Sequence, residues 1–501
     1  MRELSRRGHP IWLWLLALAP FAVLMARQWS IGCGMVCGDY AQYYLHADAL
    51  LHGRSYSDIG YIYTQYNPWI GPPAQPPGFP LTLIPIFAVF GQNPTAIKLL
   101  LQVSALVFLA CAGLRIARTD GRLAGATAVM LTGVALASMT AADSAISDLG
   151  FCALFWAFIL IADRPGDWTK GRIAMLTVLG LAAMSYRTAG AALIPAIGLY
   201  AVTGQNRRRA LVPFVIWSCL AAVVALRLPV LTSVLSHLEL TPQSLLSNMS
   251  RTLVLALRMS IFEALLYPFP WRMANGVYHV LGLLVMAWGF VRILRREWRS
   301  MTAALFIAYV VMLVLVPVRE TRYSWPILPV FAWAFYEGLV ALWALLPRWD
   351  AGRAQRAAFA SSTAIALASA VLVFQRPPRD SLLDHPEVHA LFARVAALPR
   401  SPATRVVFTN PRVLTWKTGV PAMGTFETTT PNTMAELRRN HISHVVLGDL
   451  GAAPWLDRSM RRTVADSAAA FSLVYRDSVF TILALLPPAA TAERPSGSPQ
   501  P

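Results

Sequence analysis

The chain has 501 residues, of which 56% are hydrophobic and only 14% charged, whereas soluble globular proteins average about 25% charged residues. Its formal net charge is +18, but the basic residues form short clusters beside long apolar stretches, not one face of a soluble domain. This pattern argues against nucleic acid as a partner and predicts a polytopic α-helical membrane protein surrounded by lipid.

The N-terminus combines a basic segment with an apolar run. MRELSRRGHP precedes IWLWLLALAPFAVLMA, an arrangement found in both signal peptides and signal anchors. No small-x-small cleavage site stands before the charged and aromatic residues that follow. We therefore interpret residues 11–27 as an uncleaved signal anchor and the first membrane span.

The basic clusters predict the membrane topology. Because Lys and Arg concentrate at the cytoplasmic ends of spans, an even number of crossings must separate consecutive clusters. This condition places the N-terminus inside, the C-terminus outside, and about eleven spans between them. The expected spans are 11–27, 96–117, 122–142, 148–162, 172–186, 188–203, 211–230, 275–294, 301–318, 324–345 and 357–374.

One apolar segment is excluded from this count. FPLTLIPIFAVFGQ, residues 79–92, would reach only about 21 Å as a helix, which is less than the roughly 30 Å hydrocarbon core of a bilayer. We expect an interfacial or re-entrant helix there. The spans at 148–162 and within 172–203 are also short, so their assignment depends on the even number of crossings.

The topology predicts a transmembrane domain over residues 1–374, with outer loops at 28–95 and 231–274. Residues 375–487 are predicted to form a small α/β domain on the periplasmic or extracytoplasmic side of the cell inner membrane. TRVVFTNP (404–411) and SHVVLGD (443–449) read as strands, and FSLVYRDSVFTILAL as a hairpin. The Pro/Ser/Ala-rich tail 488–501 is expected to be disordered.

The first outer loop contains a carboxylate in an unusual setting. In VCGDYAQYYLHADALLHGRSY (36–56), Asp39 opens a helical pattern that stops at Gly53. An N-cap aspartate, which stabilises a helix by about 1 kcal/mol, is one interpretation. The alternative is a working residue of an enzyme, since the surrounding loop is rich in features that a cap does not require.

Those features are aromatic residues, stacked prolines and two cysteines. The aromatic and proline residues around Asp39 and in GYIYTQYNPWIGPPAQPPGFP (60–80) predict a rigid wall along the membrane surface. The aromatic residues assigned to this wall are Tyr40, Tyr43, Tyr63 and Trp69. Cys33 and Cys37 could form a disulfide that pins the loop if this side of the membrane is oxidising.

Two further carboxylates stand where one span ends and the next begins. Asp143 and Asp148 occur in AADSAISDLGF, on the same predicted side as Asp39. Asp148 follows Ser147 at a helix start, so it could stabilise the helix N-terminus. Paired acids could also hold an acceptor hydroxyl or a divalent metal, but no His or Cys ligand set accompanies them, so no metal site is assigned.

Arginines on the predicted outer side run against the positive-inside bias. Arg187 lies between two short apolar helices, and Arg319 and Arg322 lie where the ninth span meets the outer surface. They could pair with Glu263, Glu320 or lipid headgroups. They could also form a phosphate site, because a guanidinium matches phosphate oxygens and keeps its charge at any pH.

Several segments together resemble one known superfamily. GDYAQYYLHADALLHGRSY and PPGFPLTLIPIFAVFGQNPTAIKLL resemble the first outer loop of the glycosyltransferase C superfamily. SDLGFCALFWAFILIA, SYRTAGAALIPAIGLY and RYSWPILPVFAWAF are similar to its later segments, and NPRVLTWKTGVPAMG with HISHVVLGD to the soluble domain of many bacterial members. The nearest likeness is to bacterial relatives of protein O-mannosyltransferases and aminoarabinose transferases.

The resemblance implies an enzyme that transfers a sugar from a polyprenyl-phosphate carrier to a glycan, lipid or protein acceptor at the outer face of the membrane. It implies that Asp39 is the catalytic carboxylate and that Asp148, or else Asp143, is the second acidic position. Arg187 and Arg322 stand where contacts to the carrier phosphate are expected, and the nearby Arg319 and Tyr323 are assigned to the same phosphate site.

One departure concerns the residue after the catalytic carboxylate. Many mannosyltransferase relatives have Asp-Glu where this chain has Asp39-Tyr40, so the transfer of mannose to protein is not implied. An inverting displacement needs one base and a positively charged group beside the leaving phosphate. No cofactor is required, although the sequence leaves open whether a divalent metal takes part. An O-antigen ligase or polymerase and a non-catalytic transporter or scaffold are the alternatives.

Overall fold

The computed structural model describes residues 11–27, 37–64, 66, 75–138, 146–227, 241–243, 246–249, 272–315, 321–375, 382–401, 404–448, 450 and 454–487. It divides into two compact units. The first comprises Met1–Gly32, Leu50–His52 and Pro73–Arg379, and the second Cys33–Ala49, Gly53–Pro72 and Asp380–Pro501. The second unit therefore combines the predicted C-terminal domain with most of the first outer loop.

The helices and strands are numbered in chain order. Up to residue 227 they are α1 Ile11–Arg27, α2 Cys37–Leu51, β1 Tyr61–Ile62, α3 Gly78–Phe90, α4 Pro94–Asp120, α5 Arg122–Ser138, α6 Asp148–Ala162, α7 Lys170–Tyr186, α8 Leu193–Thr203 and α9 Arg207–Arg227. The later ones are α10 Arg272–Glu297, α11 Met301–Leu315, α12 Leu328–Trp343, α13 Ala351–Gln375, α14 Pro386–Ala396, β2 Val406–Phe408, α15 Pro411–Thr418, β3 Ala422–Gly424, α16 Thr430–Arg439, β4 His444–Leu447, α17 Pro454–Asp466, β5 Phe471–Arg476 and β6 Thr481–Leu485.

The first unit is helical and apolar, as expected of a membrane domain. Each of the eleven expected spans overlaps a helix, and the span expected at 148–162 coincides with α6. Within the described residues, four helices are long and apolar enough to cross a membrane: Pro94–Asp120, Val277–Glu297, Arg322–Trp343 and Ala351–Gln375. A 15-residue helix such as α6 rises only about 23 Å, so the count of eleven crossings stays a prediction.

Close backbone contact between α10 and α12 depends on glycine. A Cβ on Gly289 would lie 1.8 Å from the carbonyl oxygen of Ala334, and a Cβ on Gly338 would lie 1.9 Å from that of Val285. Small residues of this kind let helices in membranes approach closely and pack by dispersion forces. Helix α12 is buried on nearly all sides and forms the centre of the first unit.

Buried ion pairs join four helices at the C-terminal end of α6. The Arg115 guanidinium contacts Asp163 at 2.8 Å and Glu297 at 2.7 Å. Asp163 in turn accepts hydrogen bonds from the backbone N–H groups of Met301 and Thr302 at 2.7 and 3.0 Å. These contacts tie α4, α6, α10 and the start of α11 together, so the opposite end of α6, which carries Asp148, is held on a fixed framework.

The second unit contains a six-stranded sheet in the order β1-β3-β2-β4-β6-β5. The first four strands are parallel to one another, and β6 and β5 continue the sheet antiparallel. The predicted strands at 404–411 and 443–449 are present as β2 and β4, and the predicted hairpin as β5 and β6. Strands β1 and β3 were not expected from the sequence.

Strand β1 brings the first outer loop into this sheet. Tyr61 and Ile62 pair with Ala422 and Met423 of β3, and the Ala422 N–H donates to the Gly60 carbonyl at 3.0 Å. Gly60 has a φ of +70°, a conformation that glycine adopts without strain. The loop residues around Asp39 therefore belong to the same folded body as residues 404–487.

Candidate active site

Asp39 lies in the first turn of α2. The helix begins at Cys37, two residues before the start that the sequence predicted, so Asp39 is inside the helix and not the residue that opens it. The partial positive charge at a helix N-terminus still favours an ionised carboxylate in this turn. The helix ends before Gly53, whose φ of +67° agrees with the predicted stop.

Arg412, at the start of α15, contacts the Asp39 carboxylate. Its Nη1 lies 3.0 Å from Asp39 Oδ1 and also donates to Gln42 Oε1 at 2.7 Å. The side chains of Arg412 and Asp39 are 14% and 21% exposed, so solvent screens this ion pair only in part. The guanidinium lies against Gly38, where a Cβ would come within 2.5 Å of Nη2.

Gln42 connects this ion pair to a buried histidine. Gln42 Nε2 lies 3.3 Å from His46 Nε2, and His46 Nδ1 lies 2.7 Å from the carbonyl oxygen of Tyr56. Because a carbonyl can only accept, Nδ1 carries the proton, and the Nε2 of a neutral ring accepts from the Gln42 amide. The His46 ring also stacks on the Tyr56 ring, with centroids 4.0 Å apart.

The tyrosines beside Asp39 pack inside the second unit. Tyr40 and Tyr44 contact Trp416 of α15, with ring centroids 5.1 and 5.2 Å apart, and burial raises the pKa of Tyr40. Tyr43 is also buried, whereas Tyr63 is about half exposed. Tyr40 and Tyr43, which were expected to form part of a surface wall of four aromatic residues, are therefore core residues. The fourth, Trp69, lies outside the described residues.

Asp148 is the first residue of α6 and the centre of a second charged cluster, in the first unit. Its carboxylate is 4% exposed, forms an ion pair with Arg187, and lies 4.0 Å from Arg322 Nη1. Ser147 precedes it without a side-chain capping bond. The structure thus confirms neither Glu263 nor Glu320 as the partner of these arginines, since both glutamates lie outside the described residues.

The Tyr323 ring lies close to both arginines. The guanidinium carbons of Arg187 and Arg322 are 4.9 and 5.6 Å from the centroid of its ring, within the range of cation–π attraction. Its backbone carbonyl accepts a hydrogen bond from the Tyr309 hydroxyl at 2.9 Å. Four of the residues predicted for the site, Asp148, Arg187, Arg322 and Tyr323, are therefore brought together by α6, the end of α7 and the segment before α12.

Four predicted site residues lie outside the described residues: Cys33, Trp69, Asp143 and Arg319. The side chain of Cys37 is also outside them, so the acidic alternative and the disulfide stay predictions. In the described part of the chain, no group of three or more His, Cys, Asp or Glu residues could hold a metal ion.

Sequence reasoning missed two cations. Arg412 stands in a stretch, NPRVLTWKTG, that gives no local sign of its contact with Asp39, 373 positions earlier in the chain. Lys98 of α4 is completely buried and lines a small cavity together with Gln102 and Leu149. A buried lysine in an apolar helix was a detectable signal, since such groups are rare inside membranes and are commonly functional.

Comparison with known proteins supports the resemblance inferred from the sequence. Residues 74–232 match the sequence model of the family described as dolichyl-phosphate-mannose-protein mannosyltransferase. A search of curated protein sequences finds no significant match. The matched segment contains α3 to α9 and therefore includes both Asp148 and Arg187.

Solved structures show the same fold over nearly the whole chain. ArnT from Cupriavidus metallidurans in the apo state has a TM-score of 0.57 at 16% identity, covering 95% of this chain and 97% of that one. The same protein bound to undecaprenyl phosphate has a TM-score of 0.53 at 14% identity, with the same coverage.

A more distant match is the archaeal oligosaccharyltransferase AglB from Archaeoglobus fulgidus, in complex with an inhibitory peptide and a dolichol-phosphate. It has a TM-score of 0.52 at 11% identity, covering 87% of this chain and 69% of that one. Both neighbours are glycosyltransferases of the C superfamily. The family match over residues 74–232 and the shared fold together confirm the predicted resemblance to the glycosyltransferase C superfamily.

Proposed function

We propose that this protein transfers a sugar from a polyprenyl-phosphate carrier to an acceptor hydroxyl at the outer face of the cell inner membrane. The proposal is supported by the mannosyltransferase family match and by similarity to a structure that binds undecaprenyl phosphate. The acceptor is a glycan, a lipid or a protein, and the α/β unit stands on the periplasmic side in this proposal.

The observation that carries the proposal is the cluster formed by Asp148, Arg187 and Arg322. Two guanidiniums and one carboxylate have a net charge of +1, and the side chains of all three residues are at most 11% exposed. A mostly buried positive site at the end of apolar helices suits the phosphate of a carrier whose tail stays in lipid. Guanidiniums bind phosphate oxygens through paired, charge-assisted hydrogen bonds.

In the proposed reaction, the acceptor oxygen attacks the anomeric carbon and displaces the phosphate oxygen in one inverting step. The new C–O bond forms as the bond from the anomeric carbon to the phosphate oxygen breaks, and the acceptor proton passes to the Asp39 carboxylate. The phosphate departs with the electron pair of the broken bond. Arg187 and Arg322 stabilise the negative charge that develops there.

Asp148 has a supporting role in this proposal. Its carboxylate contacts both arginines, so it holds two like charges together that would otherwise repel each other. The sugar donor can then find the guanidiniums already oriented, which lowers the cost of organising the site during the reaction. Tyr323 stabilises the same arrangement through its ring.

The test uses the full-length protein in nanodiscs with a panel of undecaprenyl-phosphate hexoses and pentoses and a total envelope extract as acceptor. Mass spectrometry measures the release of undecaprenyl phosphate. We expect Asp39→Asn to lower turnover by about 100-fold or more, the scale of general-base catalysis. We expect Arg187→Gln and Arg322→Gln to weaken binding of undecaprenyl phosphate.

Arg353→Gln is the matched control, since Arg353 is an exposed arginine that pairs only locally, with Asp350 three residues before it. Wild-type turnover by Asp39→Asn, in a sample that inserts and folds normally, would refute the assigned base. Unchanged carrier binding by both arginine variants would refute the phosphate site.

A further inference from the structure

We infer that Arg412 of the C-terminal α/β unit is a positioning residue for Asp39, so that this unit takes part in the transfer reaction. The inference rests on the proposed function of Asp39 as the base. It concerns a residue outside the segment 74–232 that matches the mannosyltransferase family.

The first support is the geometry of the guanidinium. A single nitrogen, Nη1, contacts Asp39 Oδ1 at 3.0 Å and Gln42 Oε1 at 2.7 Å. Asp39 and Gln42 are three residues apart on α2 and therefore lie on one helix face. The arginine thus contacts two successive turns of the helix, which restricts the rotamer of the Asp39 side chain as well as its own.

The second support is the set of groups that hold Arg412 in place. Gln42 is fully buried, and its amide is oriented by His46, which is held in turn by the Tyr56 carbonyl. On the other side Gly38 leaves room for Nη2, because any Cβ there would lie 2.5 Å away. A guanidinium that only neutralised a surface carboxylate would need neither the hydrogen-bonded Gln42 and His46 nor the space left at Gly38.

The third support is electrostatic. A general base must be ionised to accept a proton, and a positive charge in contact with a carboxylate favours its ionised form. The pair is mostly shielded from solvent, so screening by water and salt is reduced. Among the described contacts, the guanidinium of Arg412 is the cation that touches the Asp39 carboxylate. His46 contacts Gln42 and so acts on Arg412 indirectly. Tyr61 is buried nearby, where burial raises the pKa of its hydroxyl while the positive charge of Arg412 acts to lower it.

The consequence for the reaction is specific. Without Arg412 the carboxylate takes up its proton at a higher pH and samples several rotamers. The number of productive encounters with the acceptor then falls, while the phosphate site in the first unit is unchanged. We expect kcat to fall about tenfold or more and the KM for the donor to stay within about twofold, a smaller loss than removal of the base itself.

The experiment compares Arg412→Gln, Arg412→Lys and Asp39→Asn in the same nanodisc assay, using the donor of the panel that the wild type turns over best. Arg412→Gln should lower kcat and move the acid limb of the rate–pH profile to higher pH. Arg412→Lys should restore the position of the acid limb and part of kcat, since it keeps the charge but lacks the planar fork.

Arg461→Gln is the control for general effects on the α/β unit, because Arg461 also forms an ion pair there, with Asp457 at 2.6 Å. It should leave kcat and the pH profile unchanged. If Asp39→Asn retains turnover, the proposed base is wrong and the inference falls with it. If Asp39→Asn is inactive while Arg412→Gln keeps the wild-type kcat and acid limb, only the inference is overturned.

Discussion

Gly38→Ala tests the positioning of Asp39 without removing any charged group. The new Cβ would lie 2.5 Å from Arg412 Nη2, 3.0 Å from Cζ and 3.1 Å from Nε. Ordinary contact begins near 3.4 Å, so the guanidinium must move by about 1 Å, a shift that the flexible end of an arginine side chain can make. We expect this displacement to carry Nη1 away from Asp39 Oδ1, now 3.0 Å distant, and to lengthen the contact beyond hydrogen-bonding distance.

The effect on stability should be small because two changes oppose each other. Alanine is a better helix former than glycine by up to about 1 kcal/mol, and Gly38 lies in the first turn of α2. The lost charge-assisted hydrogen bond costs about 1.5–3 kcal/mol, reduced by the partial exposure of the pair. We therefore expect a net destabilisation of roughly 1 kcal/mol, too little to unfold the unit.

Activity should respond much more strongly than stability. We expect Gly38→Ala to lower kcat about tenfold, with the acid limb displaced in the same direction as in Arg412→Gln, because a more distant guanidinium stabilises the ionised carboxylate less. Initial rates between pH 4.5 and 8, with melting followed by intrinsic fluorescence, measure both quantities. A variant with wild-type kcat and a wild-type pH profile would show that the Arg412–Asp39 contact is not needed for turnover.

Substitutions at three further positions test packing and charge. Tyr40→Glu, which restores the Asp-Glu pair of many mannosyltransferase relatives, should sharply lower the yield of folded protein, because Tyr40 is 6% exposed and packs on Trp416; Tyr40→Phe should fold normally. Gly289→Val should lower the melting temperature, since its first side-chain atom meets the Ala334 carbonyl at 1.8 Å and α10 must move away from α12. Asp148→Asn should lower the free energy of unfolding by about 3–5 kcal/mol, because it removes the carboxylate shared by two largely buried guanidiniums. Chemical unfolding in detergent measures this change.

The membrane helices could be predicted closely because their sequence signal is local. Apolar runs bounded by basic clusters determine where a helix begins and ends, so α1 coincides with the expected span 11–27 and α6 with 148–162. The number of crossings could not be read in the same way. Helices shorter than the bilayer core, such as α3 with 13 residues, have the composition of a span without its length.

The charged clusters were predictable only in part. Arg187 and Arg322 were recognised because arginines at apolar helix ends are unusual, and the structure places both on Asp148. The contact between Asp39 and Arg412 joins residues 373 positions apart, and neither neighbourhood indicates the other. Strand β1 was missed for a similar reason, since two residues carry no periodicity and their partner strand, β3, lies far along the chain.

These long-range contacts change the interpretation of the C-terminal domain. Among the described residues, strand β1 pairs with β3, and a two-residue strand has little stability of its own. The ordering of the first outer loop therefore depends on residues 404–487 in three ways. Strand β1 pairs with β3, Arg412 forms an ion pair with Asp39, and Trp416 packs on Tyr40. Deleting the α/β unit would remove the sheet, the cation and the aromatic contacts at once, so loss of activity in such a truncation would not identify a separate binding domain. Point substitutions at Gly38 and Arg412 distinguish the two interpretations, because they leave the sheet intact and change only the contacts of the carboxylate.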